Sequence, residues 1–114
     1  MPSLSVRIDL DGGERIGPGK IALLRAIGET GSISAAGRTL HMSYRRAWKL
    51  IEELNAAFKA PLVDAQSGGK SGGGAQLTAL GREVVARYGA IEAASHKAAA
   101  RHLSALQATM RRKR

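Results

Sequence analysis

The sequence of 114 residues has no cysteine, one tryptophan, one phenylalanine and only 9 acidic residues. The absence of cysteine excludes disulfide bonds, thiolate catalysis and cysteine-ligated zinc, and it fits a reducing compartment. No apolar run is long enough to cross a membrane, and the N-terminus MPSLSVRIDL lacks the apolar core of a signal peptide. We therefore expect a cytoplasmic protein without a membrane partner.

Because acids are scarce, the 18 Lys and Arg residues leave a formal net charge of +9. A charge of this sign predicts a polyanionic partner, with nucleic acid as the first candidate and an anionic membrane surface as the second. With 44% hydrophobic residues, the chain can form one domain with a modest core.

The sequence offers no support for catalysis. His96 and His102 are six residues apart and fall on different faces of a helix, and His41 lies on another segment. Glu52 and Glu53 are adjacent on a helix and therefore point apart. We expect no enzyme activity, no metal site and no cofactor.

The stretch from Gly31 to Leu54 contains two amphipathic patterns joined by a polar turn. Their apolar positions recur at helical spacing: Ile33, Ala36, Gly37 and Leu40, then Ala47, Leu50, Ile51, Leu54 and Phe58. Ser43 is suited to cap the second helix, Met42 supplies an apolar contact in the turn, and Gly37 lets two crossing helices approach. This layout predicts a helix-turn-helix whose second helix is the recognition helix.

The exposed face of that second helix is cationic. It carries Tyr44, Arg45, Arg46 and Lys49, and Arg38 lies on the helix before it. A solvated face normally mixes both signs of charge, whereas residues 32–51 contain no acid. We therefore favour a nucleic-acid contact through Ser43, Tyr44, Arg45, Arg46, Lys49 and Arg38 over a merely solvated surface. Arg45 and Arg46 are the candidates for base edges, Lys49 and Arg38 for phosphates, and Trp48 is expected to be mostly core.

Strand patterns flank this unit on both sides. Residues 4–10 alternate apolar and polar side chains, and a turn at residues 11–13 predicts a return strand at 14–16. A scaffold helix follows from Pro18 and ends at Gly31. After Pro61, strands at 62–66 and 75–77 enclose a glycine-rich tip, which predicts a wing.

Lys70 at the wing tip is a candidate for a phosphate contact, with a solvated loop lysine as the alternative. The triplet Gly69-Lys70-Ser71 looks like the end of a nucleotide-binding loop. That motif requires a glycine where Asp64 stands, so we discard an ATPase.

The remaining residues predict one long helix, capped by Thr78 and packed closely at Gly81, that reaches about Met110. Its apolar stripe comprises Leu80, Val84, Tyr88, Ile91, Ala94, Ala98, Leu103, Leu106 and Met110. A small domain cannot cover some thirty residues of helix, so the far half predicts a homodimer. The basic residues 111–114 are either a nonspecific phosphate contact or a solubilising end.

The expected fold is mainly α with a small β-wing: a winged helix-turn-helix with an N-terminal hairpin and a long C-terminal dimerisation helix. Residues 1–78 form the DNA-binding domain, and residues 79–114 form the helix with its basic tail.

The residues Gly31-Ser32-Ile33-Ser34 through Leu40-His41-Met42-Ser43 resemble the helix-turn-helix of LysR-type regulators. The segment from Ser43 to Trp48, together with the glycine wing that ends in Leu77-Thr78, is similar to the N-terminal domain of ModE-type molybdate-responsive regulators. The resemblance implies a dimeric winged helix that represses transcription, often of molybdate uptake genes. It does not extend to the C-terminal domains that bind molybdate in ModE, so we do not expect this chain to bind molybdate by itself.

These patterns together predict a sequence-specific transcriptional regulator that binds double-stranded DNA as a dimer. Two alternatives stay open: a winged-helix module for protein interaction, and an architectural protein that binds DNA without sequence preference.

Overall fold

The computed structural model describes residues 1–66 and 74–112. The elements follow in the order β1 Ile8–Asp9, β2 Arg15–Ile16, α1 Pro18–Thr30, α2 Ile33–Thr39, α3 Tyr44–Ala57, β3 Val63–Gln66, β4 Gly74–Leu77 and α4 Ala79–Ala108. The strands pair as two antiparallel hairpins, β1 with β2 and β3 with β4. The predicted winged helix-turn-helix is confirmed. Lys70 and most of the glycine-rich tip lie outside the described residues.

The N-terminal strand is shorter than predicted. Only Ile8 and Asp9 pair with the return strand, opposite Ile16 and Arg15. The chain before them turns its backbone to α4 instead, where the Tyr88 hydroxyl donates to the Val6 carbonyl at 2.5 Å. Leu10, expected on the buried side, is 40% exposed. The prediction of a half-buried strand over residues 4–10 therefore holds only for Ile8 and Asp9, because the chain before them is held by a hydrogen bond to a helix.

Helix α1 lies at the centre of the core. Its residues Ile21, Leu23, Leu24 and Ile27 are fully buried, as their spacing predicts. The helix packs against α2, β4 and α4. It ends at Gly31, whose φ of 71° is in the left-handed region that favours glycine.

The two helices of the helix-turn-helix meet at Gly37. A Cβ atom added there would lie 3.0 Å from the Met42 carbonyl oxygen and 3.8 Å from the Ala47 Cβ atom. The Met42 amide donates to the Gly37 carbonyl at 2.8 Å, which closes the turn. The predicted need for a small residue at this crossing is therefore confirmed. Behind the crossing, Ala47, Ile51 and Leu54 of α3 are buried.

The wing is fixed to the recognition helix by Asn55. Its Oδ1 atom accepts from the amides of Leu62 at 2.9 Å and Val63 at 3.1 Å, and its Nδ2 atom donates to the Val63 carbonyl at 3.2 Å. One side chain thus satisfies three backbone groups at the start of β3, so that α3 and the wing hold one orientation. No pattern in the sequence marks Asn55 for this role.

The long helix is anchored at its N-terminal end. The Thr78 hydroxyl accepts from the Gly81 amide at 3.0 Å and donates to the Pro61 carbonyl at 2.7 Å. About two turns beyond Gly81, burial raises the pKa of Tyr88, with a smaller contribution from Glu92. Beyond this anchored half the apolar stripe is bare, with Leu106 and Met110 each 66% exposed. Within the described residues, none of the helices combines the length and apolar character of a membrane span.

Gly81 generates a stability prediction. A Cβ atom at this position would lie 2.1 Å from the Leu62 carbonyl oxygen, so Gly81→Ala requires a backbone shift between α4 and the start of β3. We expect the free energy of unfolding to fall by about 2 kcal/mol in urea titrations.

The matched control is Gly89→Ala in the same helix, where the nearest atom to a new Cβ is the tip of Arg25 at 3.5 Å. Because alanine is the better helix former, the free energy of unfolding of this variant should rise by up to about 1 kcal/mol. Equal stability of the two variants would contradict the close contact at Gly81.

Candidate nucleic-acid interface

The recognition helix α3 begins with the cap that the sequence predicts. Ser43 is extended, and its hydroxyl accepts from the Arg46 amide at 3.1 Å. The cap satisfies one of the free amides of the first turn and fixes the point at which α3 starts. Ser43 is exposed at this end of the helix, so its position beside the cationic residues is as predicted. Its hydroxyl oxygen, however, is already engaged by the backbone.

Successive residues of α3 are rotated by about 100°, so its side chains divide into faces. Ala47, Ile51 and Leu54 form the buried face. Arg45 and Lys49 project from the opposite side and are exposed. These two cations therefore occupy the outermost ridge of the helix.

The face toward the wing carries two aromatic rings. Tyr44 and Trp48 meet edge to face with ring centroids 6.2 Å apart, and Tyr44 is 54% exposed. Trp48 is half-buried and packs against the core, as expected. Both rings border a small cleft that also includes Ser34 and Gln66. The two aromatic side chains thus fill the angle between the recognition helix and the wing.

The face toward the N-terminal hairpin carries Arg46. Arg46 lines a groove of about 300 Å³ together with Arg7 and Arg15 of the hairpin, and Met42 and Leu50 lie in the same groove. Neither arginine of the hairpin is predicted by the sequence pattern. Strand alternation places Arg7 and Asp9 on one side of β1, but only the tertiary structure brings them next to α3.

The remaining predicted residues lie around the turn. Arg38 is exposed near the end of α2, and the chain reverses through His41, whose φ of 56° is left-handed. Lys70 lies outside the described residues, so its place relative to α3 stays a prediction. The structure thus brings Ser43, Tyr44, Arg45, Arg46 and Lys49 onto one helix, with Arg38 on the helix that precedes it.

The predicted cations of this surface form no ion pair with the residues that the structure describes, although Glu52 and Glu53 lie further along α3. Among the described residues, the ion pairs involve Arg7, Arg15, Lys20, Arg25 and Arg87. Arg38, Arg45, Arg46 and Lys49 form none. Exposed guanidinium and ammonium groups without carboxylate partners produce a local positive potential that attracts polyanions. Within residues 1–66 and 74–112, no three His, Asp or Glu side chains converge where they could hold a metal ion.

The family described as bacterial regulatory helix-turn-helix protein, lysR family, matches residues 19–82 of the chain. These residues run from the start of α1 through the wing to the start of α4. The chain belongs to the LysR family of bacterial regulatory helix-turn-helix proteins. Its LysR-type domain includes α1, the helix-turn-helix and the wing, whereas the β1–β2 hairpin and most of α4 lie outside the matched residues.

Curated relatives of this LysR-family chain carry names connected with molybdenum. It is 53% identical over 81 residues to the molybdenum-pterin-binding protein MopB of Rhodobacter capsulatus, an alignment that covers 71% of the chain and 30% of MopB. It is 42% identical over 85 residues to the molybdenum transport protein ModE of Azotobacter vinelandii, covering 75% of the chain and 32% of that protein. For the DNA-binding transcriptional dual regulator ModE of Escherichia coli K12 the identity is 38% over 81 residues, with 71% and 31% covered.

The chain therefore spans about a third of the length of these relatives. The ModE-type resemblance inferred from the glycine wing and the recognition helix is confirmed.

Among solved structures, the chain is similar to the CbnR DNA-binding domain in a complex with DNA. The TM-score is 0.59 at 22% identity, and the match covers 77% of this chain and 95% of that one. Full-length CbnR bound to its target DNA gives a TM-score of 0.56 at 21% identity. At these identities the likeness concerns the fold, and it agrees with the winged helix described above.

The cap of α3 generates a second stability prediction. Ser43→Ala removes the acceptor for the Arg46 amide, and we expect the free energy of unfolding to fall by about 1 kcal/mol. Ser43→Asp supplies another good capping acceptor and should remain close to the wild-type value. Thermal or urea unfolding of the two variants tests this difference. A stable Ser43→Ala variant would show that the observed hydrogen bond contributes little.

Proposed function

We propose that this LysR-family chain is a sequence-specific transcriptional regulator that places α3 in the major groove of double-stranded DNA. The observation that carries the proposal is the outward face of α3, where Arg45 and Lys49 project opposite the buried face and form no ion pair within the described part of the chain. A helix seated on its neighbours by one face can present the other to base edges. The confirmed family and the fold shared with DNA-bound CbnR support the proposal.

The side chains divide into readers of bases and holders of phosphates. Arg45, on the outermost ridge, is the main candidate for a bidentate contact with guanine O6 and N7, and Arg46 is the second. Lys49 and Arg38 would hold phosphates, as would Lys70 at the tip of the wing. Ser43 sets the start of the helix and Tyr44 lies beside the groove.

The names of the relatives support a more specific role. Because the curated relatives are named for molybdenum binding, molybdenum transport or transcriptional regulation, we propose that the chain regulates genes connected with molybdenum, by repression, in the bacterial cytoplasm. It would act without catalysing a reaction. We assign no molybdate site to these residues, and a response to molybdate would reach the chain through other protein segments.

We further propose that the chain acts as a homodimer paired through α4, with residues 1–78 as the DNA-binding part and residues 79–114 as the dimerisation helix followed by its basic tail. The reason is the apolar stripe that the domain leaves bare, with Ile91 44% exposed and Leu106 66% exposed. A second copy is the partner that supplies an equally apolar surface with matching spacing. Two joined copies would also present two recognition helices to successive major grooves.

The groove beside the N-terminal half of α4 favours an antiparallel pair. A groove of about 510 Å³ runs beside Leu80 and Val84, between α4 and the hairpin. An antiparallel pairing centred on Ser95 would place Leu106 of the second copy opposite Val84, and Met110 opposite Leu80.

Base reading is tested by Arg45→Ala. We expect the operator affinity to fall by about 1–3 kcal/mol and the preference among operator sequences to flatten, while affinity for random DNA changes less. Arg38→Ala is the contrasting variant: it should weaken all duplexes alike and reduce the salt slope of log K by about one. Selection of bound fragments from a random pool, followed by titration of each variant, measures both effects.

The same titrations separate the alternatives. Binding of the wild type that is insensitive to salt would favour a protein-interaction module. Salt-sensitive binding with no preferred sequence in the selection would favour an architectural DNA-binding protein. Either outcome contradicts the proposed function.

The dimer is tested by Ile91→Asp, which sets a carboxylate in the exposed apolar stripe. We expect sedimentation equilibrium to show a monomer and the operator affinity to fall by at least tenfold, because a charge in an apolar interface is costly. Ala93→Asp is the matched control, since Ala93 is exposed on the other side of α4. If sedimentation equilibrium gives the two variants the same oligomeric mass, α4 does not pair through this face.

A further inference from the structure

The groove between the N-terminal hairpin and the recognition helix is built from cations above an apolar floor. Arg7 and Arg15 come from the hairpin and Arg46 from α3, while Met42 and Leu50 supply apolar surface between them. The groove measures about 300 Å³ and is open to solvent along the hairpin arginines, which are 62% and 69% exposed. The hairpin lies outside the residues that match the LysR family.

We propose that this hairpin is a second phosphate-binding element that holds one sugar-phosphate strand of DNA against the side of α3 away from the wing. The inference rests on the proposed function. Tyr44 and Trp48 lie on the wing side of α3, whereas Arg46 is rotated by about 200° from each and faces the hairpin. A helix in the major groove, which is about 12 Å wide, has a backbone strand on either side. The wing would take one strand, and Arg7 with Arg15 the other.

The chemistry of the groove fits a nucleic-acid backbone. Guanidinium groups bind phosphate oxygens through paired hydrogen bonds, and the apolar surface of Met42 and Leu50 suits the deoxyribose between phosphates. Lys20 is already occupied, because its ammonium group donates to Glu14 at 2.7 Å and to the Arg15 carbonyl at 2.9 Å. Lys20 thus fixes the hairpin to the start of α1. The cations that the hairpin itself can offer to a phosphate are Arg7 and Arg15.

Asp9 offers a substitution that should strengthen DNA binding, whereas the arginine substitutions should weaken it. Its carboxylate lies 3.3 Å from the Arg7 guanidinium and 3.5 Å from that of Arg15, so it offsets one of the two charges. All three groups are more than half exposed, and ion pairs of this kind contribute little to stability. A phosphate between the arginines would be repelled by Asp9. Removal of the carboxylate should therefore strengthen DNA binding.

The experiment measures binding of the full chain to its selected operator and to a random duplex across a salt series. For Arg7→Ala with Arg15→Ala we expect the salt slope of log K to fall by about two, with the ratio of operator to random affinity unchanged. For Asp9→Asn we expect the affinity for both duplexes to rise about twofold, as loss of one nearby like charge implies. Thermal unfolding of each variant checks that the fold is kept.

The Arg25–Glu92 pair between α1 and α4, at 3.5 Å, provides controls: Arg25→Ala removes one positive charge, against two in the double arginine variant, and Glu92→Gln removes one carboxylate, as Asp9→Asn does. Arg25→Ala and Glu92→Gln should leave the slope and the affinity near the wild-type values. If the double arginine variant keeps the wild-type slope while Arg38→Ala lowers it, the hairpin does not hold phosphate although the proposed function stands.

A loss of operator preference in the double arginine variant would mean that the hairpin reads bases, and this also overturns the assignment. An Asp9→Asn affinity at or below that of the wild type contradicts a phosphate beside Asp9. Absence of salt-dependent binding in the wild type itself would instead refute the proposed function.

Discussion

The structure depends on how the recognition helix α3 packs against its neighbours. One face of α3 is buried through Ala47, Ile51 and Leu54. At Gly37 the helix α2 approaches the turn so closely that an added Cβ atom would lie 3.0 Å from the Met42 carbonyl oxygen. Because interiors are close-packed, a helix held in this way cannot rotate without opening a cavity. Every other side chain of α3 therefore has a fixed direction. Arg45 and Lys49 point outward because the opposite face of α3 is buried.

The two flanks of α3 are held by different interactions. On the wing side, Asn55 binds three backbone groups of Leu62 and Val63, and Gly81 lets α4 start directly against the Leu62 carbonyl. On the hairpin side, Lys20 ties Glu14 and the Arg15 carbonyl to the start of α1. Both flanks thus have polar contacts, most of them part-buried, that fix the start of the wing against α3 and the hairpin against α1. A rigid three-part surface of this kind can match the spacing of the two DNA backbones at little entropic cost.

The distribution of charge follows the division of labour that we propose. Ion pairs form at the hairpin, between α1 and α4 and along α4, while Arg45, Arg46 and Lys49 of α3 form none with the described residues; at the hairpin, the single carboxylate of Asp9 is shared by Arg7 and Arg15. Unpaired like charges repel one another and lower the stability of the folded chain. A polyanion would relieve that repulsion, so the same arrangement that costs stability in the free protein favours binding. The exposed Leu106 of α4 and Met110 just beyond it would likewise be covered in the proposed dimer, because exposed apolar surface of this kind favours a partner.

The sequence by itself determined the features that depend on neighbours along the chain. Helical spacing identified the buried residues of α1 and α3, and capping chemistry identified Ser43, Thr78 and Gly31, because these interactions join residues within one turn of helix. Even the close contacts at Gly37 and Gly81 could be anticipated from the absence of a side chain. Tertiary structure alone decided the rest. It shortened the first strand by directing Val6 to Tyr88, assigned Asn55 to the wing, and placed Arg7 and Arg15 beside Arg46. These contacts join residues far apart in the chain, and no local period records which distant partner a side chain will meet.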